Sequence, residues 1–176
     1  MSSSYRLHSG TAPLLVSVPH SGTAVPKDIS NRLTDAAKPL PDTDWHVDRL
    51  YDFAADMGAS VLVAEYSRYV IDLNRPPDDE NLYPGKATTG LVPVDTFSGD
   101  AIYQDDIDPD MAEVMGRIDG YWMPYHTALA KELDRLKQEH GHAVLWDAHS
   151  IASRVPRFFE GQLPDFNLGT NMDKSC

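Results

Sequence analysis

Three short apolar runs in this chain break directly into polar clusters, and that repeated junction limits the folds open to it. Ala12 to Val18 (APLLVSV) leads into Pro19-His20-Ser21-Gly22. Tyr69 to Leu73 (YVIDL) carries Asp72 and runs into Asn74-Arg75, and Ala143 to Trp146 (AVLW) runs into Asp147-Ala148-His149-Ser150. Runs of this length, rich in β-branched residues, suit buried strands. Strands that end on polar side chains point to an α/β sheet whose ligands gather at the carboxyl ends.

The remaining segments fill in that architecture. Ser60 to Glu65 (SVLVAE) reads as a further strand, close enough to 69–73 to form a hairpin with it. Asp42 and Thr43 offer N-caps for a helix that places Val47, Leu50, Tyr51, Ala54 and Met57 on one face and stops at Gly58. Residues 76–107 are rich in Pro, Gly, Asp and Thr without a period, and so long a loop in a compact domain is usually functional. Asp108-Pro109 then opens a long helix with the stripe Val114, Ile118, Tyr121, Tyr125, Leu129, Leu133 and Leu136, kinked at Pro124 and ended by Gly141. The order strand, helix, strand pair, helix, strand predicts one domain over 1–176, an α/β sandwich with a largely buried sheet.

Composition narrows the function. No apolar run approaches the ~18 residues of a membrane span. Met1 to Arg6 lacks the apolar segment of a secretion signal, so the expected location is cytoplasmic. The lone Cys176 permits no internal disulfide, and any metal must be held by His, Asp and Glu. Acidic residues outnumber basic ones 27 to 15, and the net charge of −12 argues against nucleic acid and membrane surfaces as partners. A small anionic substrate would need arginines placed locally against that field. Nothing in the pattern specifies an oligomer.

His20 and His149 each follow a strand, and Asp147 is placed to accept the second ring N–H of His149. A catalytic zinc site uses three protein ligands, often two His and one carboxylate. The third ligand falls best in Asp42-Thr43-Asp44-Trp45-His46-Val47-Asp48, where Asp44 and Asp48 share a helix face. Asp42 and Asp48 read as residues that cap and charge-complement a helix start, and His46 as part of a solvated face. Arg68, Asn74 and Arg75 suit capture of a carboxylate, because Arg presents a fork of donors that Lys lacks. A structural pairing of Arg68 with Asp72 is the plainer alternative. His126 reads as a satisfied core histidine, Trp45, Trp122 and Trp146 as core residues, and Glu80 and Tyr83 as residues that could line a pocket.

Taken in order, Pro19-His20-Ser21-Gly22, Asp44-Trp45-His46-Val47-Asp48, Ser67-Arg68-Tyr69 leading to Asp72-Leu73-Asn74-Arg75, Asp147-Ala148-His149-Ser150 and Asn167-Leu168-Gly169 resemble the N-formylglutamate amidohydrolase family. The resemblance spans essentially the whole chain. It implies a three-layer sandwich with a mixed sheet like that of the zinc carboxypeptidases and aspartoacylase, and hydrolysis of N-formyl-L-glutamate to L-glutamate and formate, the last step of histidine degradation. It further implies zinc on His20, Asp44 and His149, Arg68 as a catalytic residue that also contacts substrate, and Asn74 and Arg75 on the substrate carboxylates. Such enzymes use a late Glu as general base, and their domain runs well beyond 176 residues. The chain is therefore expected to be a C-terminally truncated domain that lacks its base. Other readings are a deacylase or carboxypeptidase acting on another N-acyl acidic amino acid, against which the missing H-x-x-E pattern counts, and a non-catalytic metal- or anion-binding domain.

Overall fold

The alternation of apolar residues in two central strands decides which helices can pack on which face. A computed structural model describes residues 3–79 and 89–169, apart from the side chain of Asp106. It contains a four-stranded mixed sheet of order β1-β3-β2-β4, with β1 Tyr5–His8, β2 Leu14–Val18, β3 Ser60–Ala64 and β4 Val144–Asp147. Strand β2 lies parallel to both β3 and β4, and β1 runs antiparallel to β3. Leu15, Leu62 and Ala64 pack on one side against Tyr125, Ala128 and Leu136 of helix α5 (Met123–His140). Val16, Val18 and Val63 pack on the other against Val47 and Ala54, from the short helices α2 (Val47–Leu50) and α3 (Phe53–Asp56). Leu15 and Leu62 are fully buried, and each such side chain contributes about 1.5–3 kcal/mol. A third cluster joins α1 (Lys27–Ser30) through Ile29 to Tyr69, Val70, Ile102 and Tyr103.

Several expectations need correction. Tyr69 to Leu73 is buried but is not a strand, and the antiparallel partner of β3 is β1, whose polar sequence YRLH gave no apolar signal. The 69–73 backbone is satisfied otherwise. Val70 N donates back to Ser67 O, Asp72 N donates to Leu91 O, and Arg117 reaches the carbonyls of Tyr69 and Val70. Apolar content alone cannot separate this from a strand, because both bury the same side chains.

The helix expected from residue 42 begins only at Val47, after His46 turns the chain at φ 64°. Asp42 is not its cap: the buried Asp42 carboxylate accepts from Tyr69 Oη and Phe97 N. The long helix is capped by Asp110, which accepts from Glu113 N, and not by Asp108. It runs as α4 (Met111–Arg117), a π turn (Ile118–Trp122) and α5, so the irregularity falls just before Pro124, which has no N–H to give to residue 120. Gly141 ends α5 at φ 80°. Strand β4 forms as expected but is an edge, with Val144, Leu145 and Trp146 41–50 % exposed, and Trp45 is exposed, not core.

Arg117 is the buried tie between the long helix and 69–73, with Nη1 also 2.8 Å from Tyr103 Oη and Nη2 paired with Glu113. Arg117→Met should cost about 3 kcal/mol, because several buried acceptors lose a charged donor together. Urea unfolding measures this, and a loss below about 1 kcal/mol would show that these bonds are replaceable.

Candidate metal and anion site

The parallel register of β2 and β4 sets Ser17 beside Asp147, and Ala148 N continues the ladder to Ser17 O at 2.8 Å. The chain segments leaving both strands therefore run side by side, and the rings of His20 and His149 lie 4.9 Å apart. Asp44 is stitched to both: its N–H donates to His20 O at 3.0 Å, and its Oδ2 accepts from Ser150 N at 3.1 Å. The left-handed turn at His46 separates Asp44 from the helix that follows, so Asp44 faces inward and is buried. Asp48, in contrast, sits in α2 and reaches Arg6 at 3.6 Å.

Ligand atoms of His20, Asp44 and His149 all lie within 4.8 Å of one another. The two Nδ1 atoms are 3.2 Å apart, and Asp44 Oδ2 is 3.8 Å from one and 3.1 Å from the other. Nitrogens about 2.0–2.1 Å from a tetrahedral zinc would sit roughly 3.3 Å apart, so the donor set and its spacing fit such an ion. The second ring nitrogens are taken by carboxylates, His20 Nε2 by Asp72 Oδ1 at 2.7 Å and His149 Nε2 by Asp147 Oδ2 at 3.0 Å. This directs both Nδ1 atoms at the shared centre.

The charges follow from these contacts. Burial lowers the pKa of His20 more than Asp72 raises it, so its ring is neutral near pH 7. Burial would raise Asp72, but the facing His20 and Arg68 hold it well below the usual carboxylate range. Burial opposes protonation of His149 too, yet its hydrogen bonds to Asp147 and Asp44 win, and its pKa is pushed up to about 9.

Arg68 donates from Nη2 to Asp72 Oδ2 at 2.9 Å, so the plainer pairing considered for it is present. Its guanidinium also lies over the Phe97 ring at 4.8 Å, and its buried Nε–H has no partner among the described residues. The Asn74 side-chain amide lies 3.3 Å from His149 Nε2. Arg75 directs its donors at backbone and Thr89: its Nε and Nη2 donate to Thr89, and its Nη1 donates to Asn74 O. His126 Nε2 and Trp122 Nε1, on rings stacked 3.8 Å apart, meet the carbonyls of Leu73 and Arg75 at 2.9 Å each and so hold the Asn74 segment from beneath. His126 is thus satisfied as expected, although it is half-buried and not part of the core. Glu80 and Tyr83 lie outside the described residues.

Sequence reasoning missed the double role of Asp72 and the burial of Asp42. One signal was available: a carboxylate inside the apolar run YVIDL is almost never buried without a partner.

A profile of the N-formylglutamate amidohydrolase family matches residues 12–176. An N-formylglutamate deformylase of Pseudomonas putida is 52 % identical over 169 residues, covering 96 % of this chain and 63 % of the relative. One from Pseudomonas aeruginosa is 54 % identical over 167 residues, covering 95 % of this chain and 62 % of the relative. The chain thus spans less than two thirds of the length of the curated relatives it matches. The crystal structure of an N-formylglutamate amidohydrolase from Ralstonia eutropha superposes with a TM-score of 0.73 at 28 % identity, covering 89 % of this chain and 64 % of that one. A gene product of Agrobacterium tumefaciens shares the fold, with a TM-score of 0.67 at 21 % identity, over 90 % of this chain and 61 % of that one. With the family profile matched from residue 12 onward and two relatives above half identity, this chain belongs to the N-formylglutamate amidohydrolase family.

Proposed function

We propose that this chain provides the metal and substrate anchors of a zinc-dependent hydrolase that converts N-formyl-L-glutamate into L-glutamate and formate, closing histidine degradation. The observation that carries this reading is the convergence of His20, Asp44 and His149 beside Arg68, whose buried Nε–H has no partner among the described residues. Zinc held there would polarise the formyl oxygen and lower the pKa of a water from about 15.7 toward ~7. Arg68 would donate to the negative charge that develops on that oxygen, where a preorganised donor is worth most. Asn74 and Arg75 would hold the glutamate carboxylates and so overcome the repulsion of a chain with net charge −12. Asp72 and Asp147 would keep the ring orientations fixed throughout.

The same proposal takes the helices on both sheet faces as two layers of a carboxypeptidase-like sandwich. It places the general base, a Glu, in the part of the relatives that this chain does not match. No helix among the described residues is long and apolar enough to cross a membrane, and the proposed setting is the cytoplasm. Formate release from N-formyl-L-glutamate, measured on the zinc-loaded chain and on a fusion that adds the unmatched part of the Pseudomonas aeruginosa relative, tests the activity. Zinc uptake without formate from either protein would leave a metal- and anion-binding domain.

His20→Ala and His149→Ala should each remove most bound zinc at neutral pH, as read by elemental analysis after gel filtration, and full occupancy in both would refute the site. Metal-free His149 carries an extra proton up to about pH 9, so zinc uptake at pH 7 should release close to one proton through this residue. Calorimetry in buffers of different ionisation enthalpy counts it. The sign for stability follows, because the folded pKa exceeds the ordinary value. In chelator-treated protein the His149 contribution is full below about 6.5 and is lost as pH rises toward about 9.

Arg75→Lys keeps the charge and loses the planar fork. In the extended enzyme it should cut kcat/KM by about tenfold or more, about 1.4 kcal/mol, with zinc content unchanged. Lost folding or metal with normal kcat/KM in the remaining folded protein would make Arg75 a structural residue that serves Thr89.

A further inference from the structure

Beneath His149 the hydrogen-bond chain does not stop at Asp147. Asp147 Oδ1 accepts from Ser17 Oγ at 2.7 Å, while Oδ2 of the same carboxylate faces His149 Nε2 at 3.0 Å. Ser17 Oγ lies 2.9 Å from Tyr125 Oη. The directions can be fixed by elimination. An ionised carboxylate only accepts, so Ser17 spends its single hydroxyl proton on Asp147. Tyr125 must then be the donor to Ser17, and its alternative acceptor, Leu62 O, is 3.5 Å away. Burial pushes the Tyr125 phenol up, which keeps that proton in place. Ser17 and Tyr125 are both buried, and they come from β2 and α5, whereas Asp147 and His149 come from β4 and the segment after it.

Without Ser17 the Asp147 carboxylate would keep, among the described residues, only its bond to His149, the ring it is meant to hold. Its side chain is 36 % exposed. Asn74 competes for the same His149 nitrogen at 3.3 Å. If the Asn74 amide won, it would donate to an unprotonated Nε2, and the neutral ring that binds metal would then carry its proton on Nδ1, the atom aimed at the shared centre. On the opposite side of the site, His20 needs no such brace, since Asp72 is fully buried and gripped by Arg68.

We propose that Ser17 and Tyr125 are positioning residues that lock the Asp147 carboxylate, and thereby the Nε2–H form of His149, for metal binding. This rests on the metal reading given above. The chain tests it in two separable ways. In the metal-free protein at pH 7, the Nε2–H of His149 should appear in long-range ¹⁵N–¹H spectra as a proton protected from exchange by Asp147. Ser17→Ala should broaden or abolish that signal, Tyr125→Phe should weaken it, and Ser17→Thr, which keeps the hydroxyl, should restore it.

Chelator competition should then show zinc bound about tenfold more weakly by Ser17→Ala than by the parent chain, in the range seen when partners of metal ligands are removed. Tyr125→Phe leaves the ring packed and guards against a variant that merely misfolds. A lower Tm in Ser17→Ala with an unchanged His149 signal and unchanged zinc affinity would make the serine a packing residue and overturn the proposal. If the parent chain takes up no zinc, the metal reading fails, and the His149 signal alone still decides: its loss in Ser17→Ala supports the positioning role and its persistence overturns it.

Discussion

The pairing of β2 with β4 sets the geometry on which the site depends. A parallel pair delivers both chains to the same end of the sheet, and the register Ser17↔Asp147 leaves His20 three residues and His149 two residues past the last paired residues. A slip of one residue would turn His149 to the opposite face and break the Ser17–Asp147 bond with it. The sheet thus places two candidate ligands by backbone hydrogen bonding alone. Asp44 is brought in by backbone bonds from the same two segments, so all three groups share one frame.

That frame must also bear a concentration of charge. Asp44 and Asp72 are buried, and burying a carboxylate is costly unless it is paired and hydrogen-bonded. Arg68 answers both, with Nη2 at 2.9 Å from Asp72 and Nη1 at 3.9 Å from Asp44. Its Nε–H is nevertheless left without a described partner. Arg117, which ties the long helix to the 69–73 strip, keeps a buried Nε–H vacant in the same way, so the vacancy accords with either role. The same side chain can stabilise the fold and present that donor to a ligand, and the two readings of Arg68 are therefore compatible.

The junctions after β2 and β4 were legible in the sequence because each is local, His20 and His149 following their strands within two residues. The 69–73 run, in contrast, is not a strand, and Asp44 comes from the resemblance. His20, Asp44, Asp147 and His149 stand together in the structure as that reading requires. What was not legible depends on long-range contacts. The YVIDL run is held by Arg117, Leu91 and His126 from distant parts of the chain, so an apolar segment with strand composition sits as an irregular buried strip. The break before α2 arises because His46 adopts a left-handed conformation, and no periodicity reports that. Strand β1 stayed hidden because an edge strand needs only one apolar face, and YRLH scarcely has one.

The long helix shows how one irregularity serves both fold and site. A π turn inserts about one extra residue and rotates everything before it by roughly 100° relative to a continuous α-helix. Arg117 lies before the turn and Tyr125 after it, and both reach inward, one to the carbonyls of the 69–73 strip and the other to Ser17 in the sheet. Trp122 and His126, at the turn itself and just beyond, hold the carbonyls on either side of Asn74. An uninterrupted helix would swing either Arg117 or Tyr125 out of reach. The strip that carries Asp72 and Asn74 and the strand pair that carries His20 and His149 are thus braced by a single element. Because Pro124 removes the bond that would close a regular turn, the sequence builds that bend in at the residue where the two halves of the site must be set against each other.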